Sequence, residues 1–154
     1  MDKVKTILIL ILEKLVGLLF IVIVAITLAQ VFCRYALGFS LTWSHELVIL
    51  LLIWTVWLCI PIGLDRMEHI SVTFLVDHVS YTSRARLAWF HWALSIFFFG
   101  MVFFLSFPVA KAFEGMELFS IPIPTNARYY AATAGSLLAG FVLAAKLFKP
   151  RKGT

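Results

Sequence analysis

The sequence predicts an all-α integral membrane protein, one membrane domain over residues 1–154 with four transmembrane helices and cytoplasmic N and C termini. Three observations carry this reading. First, 62% of the residues are hydrophobic and 14% charged, with a mean hydropathy of +1.00. Soluble domains average about 45–50% apolar and about 25% charged, and a chain this short cannot hide so much apolar surface in a water-surrounded core. Second, four apolar runs long enough to cross a bilayer alternate with polar segments, at about 6–33, 45–64, 87–110 and 127–148. Third, the basic residues divide unequally between the two sides that four crossings define, as counted below.

The first run, Thr6 to Cys33, has 28 residues. As a helix it measures about 42 Å against a hydrocarbon core of about 30 Å, so it must tilt or project. Leu15 to Cys33 alone is enough to span. Glu13 and Lys14 then sit at the inner interface, and Thr6 to Leu12 is an interfacial or buried extension. The start, Met1-Asp2-Lys3-Val4-Lys5, is basic and then apolar, as in a signal peptide. The run exceeds a signal core of about 7–15 residues and no small-residue cleavage site closes it, so a retained helix is expected.

Thirteen residues, Arg34 to Glu46, separate the first two runs and hold the only charges between Lys14 and Asp65. Arg34 with Tyr35, and Trp43 with Glu46, are residue types that suit a membrane–water boundary. An Arg34–Glu46 ion pair is one expectation for this corner; contact of Arg34 with lipid headgroups is the other. On the second run, Glu46, Trp57, Leu50, Trp43, Pro61 and Trp54 fall within an arc of about 80°. Three indoles and a carboxylate on one face predict a face that meets protein, either other helices of the chain or a partner. Lipid-facing aromatics are the alternative, which suits Trp43 better than the mid-span Trp54.

Asp65 to Arg86 is polar. Met67, Ile70 and Phe74 recur within it at helical spacing, which suggests a short interfacial helix between helices 2 and 3; a plain loop is the alternative. The third run carries seven Phe all round the helix, with Trp89, His91 and Trp92 near its start. Ile121-Pro122-Ile123-Pro124 then favours an extended segment, and Thr125 or Asn126 can cap the last helix. That helix has rows of small residues four apart, including Gly135, Ser136, Ala139 and Gly140. In lipid such rows let helix backbones approach closely.

With both termini on one side, that side receives ten of the thirteen Lys and Arg and the other receives Arg34, Lys111 and Arg128. The excess of positive charge marks the cytoplasm. The eight acids divide five and three, so the net charge of +5 belongs to the inner side. The charge is therefore a topology signal, and no nucleic-acid role is inferred from it.

Chemistry is sparse. No phosphate loop, nucleophile–base pair or metal-ligand cluster is visible, so no catalytic residue, metal site or cofactor is assigned. Cys33 and Cys59 fall at opposite ends of neighbouring helices, about 24 Å apart along the helix, too far for a disulfide. Haem would need two His at one depth on facing helices; His45, His69, His78 and His91 do not offer that. Mid-membrane polar groups are limited to Ser, Thr and Gln30.

The order of residues is more specific than the composition. Arg34-Tyr35, a Gly/Phe/Ser spacer, Trp43, then Glu46 opening a helix that holds Trp54, then His69-Ile70 after an inner turn, resembles the small membrane (Q-type) subunit of tripartite ATP-independent periplasmic (TRAP) transporters. Ile121-Pro122 followed by Tyr129 or Tyr130 and a small-residue-rich final helix fits the same pattern, and the resemblance covers nearly the whole chain. The family pattern His-Ile-x-Val-Asp has Thr73 here in place of its acid, with Asp77 four residues later. The resemblance implies a bacterial inner-membrane protein that pairs with a large membrane subunit carrying the substrate and sodium sites. It also implies a periplasmic binding protein that delivers an organic acid of the C4-dicarboxylate or sialic acid class. The small subunit is then a rigid scaffold, and Arg34, Tyr35, Trp43, Glu46, Trp54, Trp57 and His69 are its interface or structural candidates. Two other readings stand beside it: a small self-assembling exporter using Glu13, and a membrane anchor of a redox enzyme. The outer segments, Arg34 to Glu46 and Lys111 to Arg128, are expected near the docking place of a periplasmic partner.

Overall fold

The structure, a computed structural model, describes residues 2–66 and 81–147, with side chains from 4–66 and 89–146. Four helices form: α1 (Asp2–Ala36), α2 (Thr42–Arg66), α3 (Tyr81–Ala112) and α4 (Ala127–Leu147). All four expected runs are helical, each extending a little past its apolar stretch except the last. The suggested interfacial helix, His69 and Thr73 lie outside the described residues, as does the basic tail after Leu147.

Among the described residues three helices are long and apolar enough to cross a membrane: α1 over Val4–Ala36, α2, and α3 over Trp89–Ala112. The fourth, α4, is less apolar because Thr, Ser, Gly and Ala occupy much of it. Those small residues are the ones that bury: Ala131, Ser136, Ala139 and Ala145 are all at most 7% exposed. Its neighbour on those faces is protein, so a low hydropathy there carries no penalty.

The helices form an open row in the order α1, α2, α4, α3. α4 lies between α2 and α3, while α1 packs on α2 and meets α4 only briefly. Two clusters form the core. Ile9, Leu12, Leu58 and Val142 join α1, α2 and α4; Phe99, Ala139 and Leu143 join α3 and α4. Ile9 and Leu12 are therefore a buried extension of the first span. Outward-facing apolar residues cover the rest, among them Leu18, Ile21, Phe97 and Phe104, as a bilayer requires.

One contact sets the spacing of α2 and α4. A Cβ on Gly135 would stand 2.7 Å from the Trp57 carbonyl oxygen and 2.8 Å from the Trp57 Cβ. Only hydrogen fits, so the two backbones touch. Gly140, one and a half turns on, meets nothing within 4 Å. With Gly100, Phe99, Phe103 and Ser136 it lines an open apolar groove of about 310 Å³ between α3 and α4.

Chain reversals use glycine where the backbone is left-handed. Gly38 (φ 74°) follows α1, and the amides of Leu37 and Phe39 both donate to the Cys33 carbonyl. Gly115 (φ 84°) follows α3. Such a φ favours glycine because other residues clash there.

Gly135→Ala is expected to destabilise the α2–α4 contact by about 1–3 kcal/mol, the usual penalty for overpacking, while Gly140→Ala stays near neutral. Thermal unfolding of both variants in the same detergent checks this; equal melting temperatures would remove the Gly135 assignment.

Candidate functional site

Charged and polar groups gather at the two ends of the row, and neither end could be derived from spacing alone. At one end, the start of α1 meets the finish of α2. Lys5 Nζ lies 2.6 Å from Asp65 Oδ1, with side chains 13% and 24% exposed. Arg66 Nη2 lies 2.7 Å from Glu13 Oε1, with side chains 70% and 29% exposed. From α4, Lys146 Nζ donates to the carbonyls of Leu64 (2.6 Å) and Asp65 (3.0 Å). These carbonyls belong to the last turn of α2, where helices lack internal partners and favour a cation. Lys146 thereby ties α4 to α2, its ammonium set against the backbone dipoles at the end of α2. Glu13, the one candidate for a lone acid within a span, is held by Arg66.

At the other end, residues 113–126 between α3 and α4 fold back as a small hairpin. The amide of Leu118 donates to the Ile123 carbonyl (2.9 Å) and that of Thr125 to the Met116 carbonyl (2.8 Å), on either side of an isolated bridge between Glu117 and Pro124. Proline cannot donate, so the cross-strand bonds come from the residues flanking Pro124. The Ile123 amide turns back to the Ile121 carbonyl at 2.7 Å, which makes Pro122 the centre of a tight three-residue turn. The alternating prolines thus build a turn and a return arm. Leu118 is buried, and the Phe113 ring stacks on Tyr129 at 4.9 Å between centroids.

Glu46, in the first turns of α2, holds this hairpin. Its Oε1 accepts the Phe119 amide at 3.2 Å and its Oε2 the Ser120 amide at 2.7 Å. Both carboxylate oxygens are therefore engaged by backbone. No ion pair joins Glu46 to Arg34: among the described residues the pairs are the two at the opposite end, and Arg34 is exposed. The expected Arg34–Glu46 pair gives way because two convergent amides 73 and 74 residues away offer the carboxylate a fixed partner, whereas a long arginine side chain must be ordered first.

The other candidates separate. Trp54 packs on the core cluster that includes Leu58 and Val142, and Trp57 lies against Gly135, so these two indoles work inside the chain. Trp43 is 42% and Tyr35 82% exposed at the hairpin end. Ser136 and Ala139 are buried on α4, and Gly140 opens on the groove. Three hydroxyls in the helices are taken by backbone: Thr27 by Ile23, Thr55 by Leu51 and Ser136 by Thr133. Ser106 and Thr133 also meet at 2.8 Å between α3 and α4. Sequence reasoning missed Lys5, Asp65, Arg66, Lys146 and the hairpin amides. Charged residues at the margins of neighbouring spans are a visible signal, but their partners depend on the order of helices in the row.

The family model described as Tripartite ATP-independent periplasmic transporters, DctQ component, matches residues 23–153 of the chain. No curated protein matches it.

Two outcomes test the latches. Glu46→Gln removes one of the two acceptors and should loosen the hairpin by about 1 kcal/mol, a roughly fivefold faster exchange of the Phe119 and Ser120 amide hydrogens. Asp65→Asn should lower stability by about 1 kcal/mol, because Lys5 then loses a half-buried partner. Glu13→Gln at the more exposed pair should change it by less than about 0.5 kcal/mol. Chemical unfolding of the two variants in one detergent compares them.

Proposed function

Because the chain belongs to the DctQ-component family of tripartite ATP-independent periplasmic transporters, we propose that it is the fixed scaffold on which a large membrane subunit works. The family is one of transporter components, and its small subunits act with a large membrane subunit and a periplasmic binding protein. This chain forms a heterodimer with its large subunit in the bacterial inner membrane. It crosses four times, with both termini cytoplasmic and the hairpin of residues 113–126 periplasmic. The large subunit holds the sodium and substrate sites, and the solute is an organic acid of the C4-dicarboxylate or sialic acid class.

The observation that carries the scaffold role is the locking of the row at both ends. Lys5–Asp65, Glu13–Arg66 and Lys146 tie three helices at one end, and Glu46 ties α2 to the α3–α4 connection at the other. Between them, Gly135 sets α4 against α2 at backbone contact. The hydroxyls of Thr27, Thr55, Ser106 and Thr133 are committed to carbonyls or to each other, which leaves these four poorly suited to coordinate a passing ion or solute. A large subunit that moves its site across the bilayer needs a partner that does not deform. An open row, with long apolar flanks on α1 and α3, widens the fixed part of the assembly.

The chain should co-purify with a much larger membrane protein, and solute uptake into proteoliposomes should need both, with Glu13→Gln transporting at the wild-type rate. Uptake driven by the isolated chain, and lost in Glu13→Gln, would overturn the scaffold reading.

A further inference from the structure

We propose that the hairpin latched by Glu46 is a docking element for the soluble periplasmic partner, with Phe119 as its anchor. This rests on the scaffold reading above. Phe119 is 99% exposed, at the tip of a connection whose backbone is held on every side. Its own amide donates to Glu46, that of Ser120 does the same, and the arms are tied by Leu118–Ile123 and Thr125–Met116. Leu118 next to it is buried. An aromatic ring left uncovered by its own chain, on a backbone with little freedom, loses little entropy when a pocket covers it. That combination marks an anchor at a protein interface.

The surroundings decide among occupants. Residues 113–126 contain two acids, Glu114 and Glu117, and no Lys or Arg. Both acids are exposed, and so is Met116 at 56%. Insertion into lipid would drag those carboxylates toward hydrocarbon, which is unfavourable. A neighbour in the membrane plane would meet the flanks of the helices. The hairpin instead leans from α3 and α4 onto the first turns of α2, across the end of the row, where a partner arrives from water. The occupant that fits is a soluble protein with an apolar pocket for Phe119 and Met116, rimmed by Lys or Arg that face Glu114 and Glu117. Glu46 is a positioning residue: it fixes the tip and does not itself need to touch the partner.

The test uses the two membrane subunits assembled in nanodiscs and the purified periplasmic binding protein of the same transporter. Phe119→Ala should weaken its binding by at least about tenfold without changing the yield of the membrane complex. Charge reversal at Glu114 and Glu117 should slow association and flatten its salt dependence. Glu46→Gln should weaken binding less, in step with faster exchange of the Phe119 amide. A photo-reactive residue at position 119 should cross-link to the binding protein. Wild-type affinity in Phe119→Ala, or cross-links to lipid or the large subunit alone, would overturn the docking proposal and leave the scaffold role standing. Failure of the chain to assemble with any large membrane subunit would remove both.

Discussion

The close approach of α2 and α4 at Trp57 and Gly135 is the constraint on which the row depends. α4 touches both α2 and α3, so it is the helix through which the two halves of the chain are joined. In lipid, burial of apolar surface does not drive helices together, since the acyl chains are as apolar as the side chains. What remains is close packing and the few polar bonds that lipid cannot compete for. A glycine that admits a carbonyl and a Cβ within 3 Å of its missing side chain provides the first, and the Ser106–Thr133 contact adds to the second.

The ends of the row solve a different problem. Helix termini carry unsatisfied amides and carbonyls, and charged residues at a bilayer margin need partners. At one end the carbonyls of Leu64 and Asp65 receive Lys146, and at the other the carboxylate of Glu46 receives the amides of Phe119 and Ser120. Each latch ties backbone of one segment to a side chain from a distant one. Each therefore fixes helix order as well as satisfying charge. A structure that is locked at its ends and tight at its centre suits a component that stays still while another moves. The hydroxyls of Thr27 and Thr55, bonded to carbonyls of their own helices, point the same way.

Much of this was legible in the residues. The apolar runs mark all four helices, and Arg34-Tyr35, Trp43, Glu46 and Trp54 in order carry the family resemblance that the family match supports. The indole face of α2 was readable as one that meets protein, because a 3.6-residue repeat places Trp54 and Trp57 on one side. Which protein it meets was not readable: Trp57 lies against Gly135 of α4, Trp54 packs on the cluster that joins α1, α2 and α4, and Trp43 stays exposed. Arg34 and Glu46 look like a pair because they are near in sequence, yet Glu46 binds amides more than seventy residues away. The Ile-Pro-Ile-Pro stretch reads as extended, but it bends in a tight turn at Pro122, and that turn and the exposure of Phe119 depend on closure against α2.

Composition, run length and charge asymmetry decided that this is a helical membrane protein, and residue order decided its family. These are local or additive properties: each apolar run needs lipid whatever its neighbours do, and each basic residue counts toward topology separately. Tertiary structure alone decided the order α1, α2, α4, α3, the partners of Glu13, Glu46, Asp65 and Lys146, and the need for glycine at position 135, where α4 meets the backbone of α2. Those follow from which helix faces come within a few ångströms, and two rows of small residues on α4 offer several nearly equal ways to pack. Only the assembled chain, with its ion pairs at one end and its hairpin at the other, selects among them.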